Sequence, residues 1–187
     1  MRKPIEKADY ERSYQSARWD IMLLIALTVI NIGITLFTNE SGYISAAAIP
    51  MFLVRLGKIM CGKMDNAFYE KNYPDIEFMD NSFMVWMIVA AVVIIGIYVL
   101  LWFLSQKYTV PLIIAGALIL IDTVSMFFIY TDAFDFFRFC DYAIHAIMIV
   151  MIAIGVHAGF KLKKIRADEE AFMASIHMHR DQFANRR

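Results

Sequence analysis

The segment Phe83 to Leu104 is apolar throughout and carries no charged residue. As a helix it would measure about 33 Å at 1.5 Å per residue, which matches the thickness of bilayer hydrocarbon. A soluble helix of that length keeps one polar face, and this one has none. Three more stretches have the same character. Val110 to Tyr130 carries one charge, Asp122, and Tyr142 to Phe160 carries two histidines and no full charge. Ile21 to Phe37 is the shortest, interrupted by Thr28 and Asn31. With 60% hydrophobic and only 19% charged residues, a soluble domain is excluded. No strand alternation accompanies the apolar blocks, so helices are expected and a barrel is not.

The expected fold is all-α: a polytopic membrane protein of four transmembrane helices with an outer re-entrant or interfacial segment. The spans fall at about 21–37, 83–104, 110–130 and 137–160, with an outer loop over 38–82. Residues 1–20 form a cytoplasmic N-terminal segment, and 161–187 a basic amphipathic cytoplasmic tail. The polar start is too long for a typical signal peptide, and the apolar chain resumes after Ala46-Ala47-Ala48, so the first span is expected to be an uncleaved anchor.

Orientation follows the basic residues in the short flanks. With both termini in the cytoplasm, all but Arg55, Lys58, Lys63, Lys71 and Arg138 of the 18 Lys and Arg residues lie inside. The opposite orientation would put that excess outside. The segment Tyr43 to Met60 is apolar but holds Pro50, Arg55 and Lys58. As a fifth span it would bury two cations at a few kcal/mol each and place one terminus outside. As a re-entrant or interfacial segment, Pro50 falls where the chain would turn. The sequon Asn39-Glu40-Ser41 lies on the expected outer side.

Ionisable residues inside hydrocarbon are costly and mark candidate sites. Asp122 with Thr123, His145 with Asp141, and Asn31 fall at similar depths in the outer half of three spans. Asp141 and His145 share a helix face at a spacing of four. Arg55, Lys58 and Arg138 stand just above as candidate countercharges. Such a cluster suits proton or cation handling, because His changes charge near neutral pH and a dry carboxylate relays protons. A metal would draw on the same three groups, Asp122, Asp141 and His145, short of a closed ligand set. A purely structural role is also open, in which Asp122 pairs with His145 or Asn31 to fix helix packing; asparagine at 122, which can still hydrogen-bond, should be better tolerated than loss of the His145 ring.

Near the inner end of the last span, Gly155 and Gly159 form a small-xxx-small pair, with Ala115-Gly116-Ala117 as a candidate facing surface. Lys161, Lys163 and Lys164 suit anionic headgroups. Leu162, Ile165, Phe172, Ile176 and Phe183 recur at near-helical spacing through the tail. Trp19, Trp86 and Trp102 fall near span ends, as interfacial anchors do.

Other chemistries find no support. No phosphate-cradling glycine loop, G-x-S-x-G or H-E-x-x-H occurs, and Cys61 and Cys140 form no C-x-x-C pair. No catalytic residue, cofactor or nucleic acid is expected. The expected function is a small channel, transporter or transport subunit, with a non-catalytic protein that binds a larger membrane partner as the alternative. The expected partners are the lipid bilayer and either another protein or a second copy.

Four segments resemble those of uncharacterised small bacterial four-helix membrane proteins. These are Ile49-Pro50-Met51-Phe52-Leu53-Val54, Ile121-Asp122-Thr123, Asp141 to His145, and Gly159-Phe160-Lys161-Leu162-Lys163-Lys164. The resemblance implies a bacterial cytoplasmic membrane and no particular activity.

Overall fold

The computed structural model describes residues 4–38, 46–73, 75–129 and 136–184. Six helices follow in order: α1 Pro4–Phe37, α2 Ala48–Met60, α3 Asn66–Asn72, α4 Asn81–Leu104, α5 Val110–Ile129 and α6 Phe136–Ala184. Four of them, α1, α4, α5 and α6, are long and apolar enough to cross a membrane. The sequon Asn39-Glu40-Ser41 and the side chain of Phe183 lie outside the described residues.

Hydropathy and burial together show why these helices suit lipid. The most apolar stretch of α4 has a mean hydropathy of 2.9, yet only 17% of it is buried inside the protein. Val85, Trp86, Val92, Val93, Leu100 and Phe103 all point outward and are more than half exposed. An apolar surface of that extent has no counterpart on soluble monomers.

Close approaches between side chains fix the directions of the helices. Along α1 and α6, Gly155 meets Ala17, Gly159 meets Tyr14, and Lys7 pairs with Glu169 at 2.8 Å. The two helices are therefore antiparallel over a long seam. Along α5 and α6, Asp122 faces His145, Gly116 faces Ile152, and Gly159 lies against Thr109, which precedes α5. That pair is antiparallel too. The end where α1 begins and α6 finishes is the terminal end; the opposite one is the loop end.

Both outer helices extend well past the apolar zone. With 49 residues, α6 measures about 74 Å, more than twice the hydrocarbon thickness. From Pro4 α1 continues through the polar start into the apolar span, and α6 continues through the basic tail as far as Ala184, each without a break. Leu162 and Ile165 are buried in this extension, whereas Phe172, Met173 and Ile176 are exposed. At the terminal end, Tyr14 Oη donates to the Ser105 carbonyl at 2.6 Å and lies 3.1 Å from that of Tyr108. Arg18 donates to Ser105 Oγ and lies 5.7 Å from the Trp102 ring centre. These contacts tie the α4–α5 turn to α1.

The expected outer loop over 38–82 contains α2 and α3. Helix α2 starts beside Thr28, whose Oγ1 accepts the Ala47 amide at 2.9 Å. It finishes beside Thr35 and Thr38, whose carbonyls accept from Lys58 Nζ at 2.8 and 2.6 Å. Hence α2 runs parallel to the last third of α1 and rises about 15 Å alongside it. Pro50 sits in its first turn, where a missing N–H costs nothing. Tyr69 of α3 closes the other end by donating to the Ile59 carbonyl at 2.9 Å. Gly57 allows α2 against α4, since a Cβ there would lie 3.2 Å from the Met84 backbone.

The core joins α1, α4, α5 and α6 through Ile21, Leu24, Tyr98, Leu112, Ala115, Ile119, Met148 and Ile152. It fills the level between the terminal end and Asp122. The small-residue contact falls elsewhere than the sequence suggests. Gly155 accommodates Ala17 of α1, whereas in the Ala115-Gly116-Ala117 surface Gly116 meets Ile152.

Candidate functional site

Helix α2 lacks a side-chain cap of its own. Its N-cap position is Ala47, which has no oxygen to offer. The first amides of any helix need acceptors, and burial makes that need costly to leave unmet. Asp122 of α5 supplies them from across the bundle. Its Oδ2 accepts the Ala48 amide at 2.7 Å and its Oδ1 the Ile49 amide at 2.8 Å. Together with Thr28 on the Ala47 amide, three successive N–H groups are satisfied by side chains of two other helices. The anion also complements the positive end of the α2 dipole.

His145 of α6 stands behind the same carboxylate. Its Nε2 lies 3.7 Å from Asp122 Oδ2, and both side chains are almost wholly buried. Its Nδ1 lies 2.9 Å from the Asp141 carbonyl oxygen and 3.5 Å from Asp141 Oδ1. A carbonyl only accepts, so Nδ1 carries a proton. In neutral imidazole the other nitrogen then has only a lone pair, and here it would face a carboxylate oxygen. An additional proton, on Nε2 or on Asp122, turns that repulsion into attraction. Nε2 has no hydrogen-bond partner among the described residues. Chemically, the pair is a place to hold one proton.

The other expected site residues divide. Asn31 is 1% exposed on the same stretch of α1 as Thr28. Thr123 donates to the Ile119 carbonyl at 2.7 Å within its own helix and takes no part in the pair. Asp141, one turn nearer the loop end, is half-buried and reaches only the Nδ1 side of His145. Tyr98 on α4 is buried in the adjoining core.

Lys58 does not act as a countercharge for Asp122. It stands at the far end of α2, about 15 Å along the axis, with its ammonium bound to the last carbonyls of α1. A cation at a helix C-terminus complements the dipole, which is a closer partner than the acid below. Arg55 is half-buried on α2, one turn before Lys58. Arg138 lies one turn before Tyr142 and acts on it electrostatically. Asp122 and Asp141 reach His145 at opposite ring nitrogens, and among the described residues no group of three or more His, Cys, Asp or Glu could hold a metal ion. Near the terminal end, Lys161 is half-buried, and Lys163 and Lys164 are exposed.

Two participants escape the ionisable-residue criterion. Thr28 and Thr35 look in the sequence like interruptions of an apolar span, but with Asn31 and Thr38 they share one helical spacing. That spacing is the signal that would have found them.

Comparison with protein-family models, with curated proteins and with solved structures gave no match.

Proposed function

We propose that the chain is a small transport protein, or a subunit of one, in a bacterial cytoplasmic membrane, and that the Asp122–His145 pair binds its proton or small cation. The terminal end is cytoplasmic, as the distribution of basic residues requires. The loop end faces out. Ala47 then lies at the depth of Thr28, and α2 runs from there toward the outer side. Lys161, Lys163 and Lys164 lie at the cytoplasmic headgroups.

One observation carries this role. His145 has Nδ1 committed to a carbonyl, and its other nitrogen is 3.7 Å from a buried carboxylate. A pair serving only to pack helices would close to hydrogen-bonding distance, near 2.9 Å. The site also sits at the buried N-terminus of a short helix, where broken helices of transporters place their ligands.

Purified protein in liposomes with an internal pH dye tests the role. An inward proton flux above that of empty liposomes is expected after external acidification. In His145→Gln, folded as judged by circular dichroism, that flux should be lost. An unchanged flux in the folded variant, or none in the wild type, removes the transport role.

The exposed Phe172, Met173 and Ile176 on α6 favour a second role, docking of a larger membrane partner by the cytoplasmic extension. Truncation after Glu169 should then abolish a high-mass assembly in native gels of the source membrane and leave proton flux intact.

A further inference from the structure

On α1, Thr28, Asn31, Thr35 and Thr38 are spaced by three or four residues and so share one face. The first three are 1%, 1% and 4% exposed. Nearer the terminal end the buried residues of α1 are Ala17, Ile21, Leu24 and Ile25, so the buried side turns polar abruptly at Thr28. At one end of the file the Thr28 side chain faces the start of α2 and holds the Ala47 amide, and at the other the Lys58 ammonium of α2 lies at the Thr35 and Thr38 carbonyls.

Helix packing alone does not call for this set. Each buried polar group costs free energy unless it is satisfied. The Oγ1 of Thr35 has no hydrogen-bond partner among the described residues, and neither has His145 Nε2 at the other end. Groups of this kind are characteristically bridged by buried water. Successive positions on the file climb about 4.5 to 6 Å along the helix axis, a gap that one water closes with two hydrogen bonds. At the loop end of the file the Lys58 ammonium holds the Thr35 and Thr38 carbonyls, and Asp65 acts on it electrostatically.

We infer that the α1–α2 seam, lined by Thr28, Asn31 and Thr35, is a hydrated route carrying protons between the outer surface and the Asp122–His145 pair. The inference rests on the proton-binding role proposed above and names both the species and the door. The competing door is Asp141, which reaches His145 at its other ring nitrogen. Other charged groups near its outer end include Asp65, which acts electrostatically on Lys58, and Arg55, one turn before Lys58 on α2.

Two measurements on the full-length protein test the route. In a background with Cys61→Ala and Cys140→Ala, single cysteines are placed at Asn31, Thr35 and Leu24 and treated with neutral methyl methanethiosulfonate. Only the thiolate reacts, so the rate reports hydration, and positions 31 and 35 should react at least about tenfold faster than the dry position 24. Equal rates at all three positions overturn the inference whatever the flux. In liposomes, Thr35→Val keeps the shape of the side chain but removes its hydroxyl, and should lower proton flux several-fold and by more than Asp141→Asn does. Loss of flux in Asp141→Asn with none in Thr35→Val moves the door to Asp141 and overturns the route while sparing the transport role. Fast labelling at 31 and 35 in a protein without flux supports the hydrated seam and removes transport instead.

Discussion

Asp122 and Ala48 are 74 positions apart, yet the carboxylate of one accepts the backbone amide of the other at 2.7 Å. A side chain of α5 thereby caps α2, a helix with no cap of its own. The opposite exchange occurs at the other end of α2, where Lys58 holds the last carbonyls of α1. A helix of 13 residues would be marginal alone. Charged groups at both ends, together with packing against α4, keep it in place.

The capping geometry sets the cost of asparagine at 122, expected from the sequence to be a milder change than loss of the His145 ring. Asparagine offers one acceptor oxygen, and its NH2 would point at a second N–H. Asp122→Asn should therefore lose about 1–3 kcal/mol, and Asp122→Leu, which strands both amides, about twice that. Thermal unfolding in detergent measures both. An Asp122→Asn protein as stable as the wild type would refute the cap.

Gly155→Ala should destabilise the α1–α6 seam by about 1–3 kcal/mol through overpacking, because its new methyl would collide with Ala17. Gly159→Ala should behave alike, with Tyr14 and Thr109 atoms 2.8 Å from the added carbon. Gly33 and Gly96 have nothing within 4 Å. Alanine at those positions should raise stability by up to about 1 kcal/mol through helix propensity. The same unfolding assay separates the two classes by sign.

Asp80 caps α4, and its hydrogen bonds to Ser82 and to the Asn81 amide hold its carboxyl below the usual range. A group lowered on folding contributes stability above its unfolded value, about 3.9, and loses it as pH falls through the folded one. Wild type should therefore lose more stability than Asp80→Ala on acidification below about pH 4. Parallel acid titrations of the two proteins, followed by circular dichroism, check the sign. Identical curves would contradict the cap.

Topology is accessible to labelling. With Cys61 and Cys140 replaced, single cysteines at Thr38, Asn66 and Glu70 should react with an impermeant reagent in intact cells. One at Lys107 should react only after the cells are opened. Reaction at Lys107 from outside reverses the orientation. Opposite sides for Thr38 and Asn66 would make the intervening segment a fifth span.

Four long apolar helices were legible in the sequence because crossing hydrocarbon imposes a length and forbids charge. Asp122 and His145 were legible as neighbours because equal depth on adjacent antiparallel helices leaves little freedom. The Asp122 partners were not legible, since backbone amides look alike in a sequence. The same holds for Lys58, whose charge suggested an acid but whose place at a helix end gave it carbonyls.

The sequence alone determined which segments are apolar enough to face lipid, where the basic residues gather, and at what level the ionisable groups lie. These properties depend on one residue or one window at a time. Only the tertiary structure decided that α2 runs parallel to α1, that Asp122 holds its first amides, and that Gly155 meets Ala17. Each of those is a pairing between distant positions, fixed by which helix faces fit closely enough to satisfy buried polar groups.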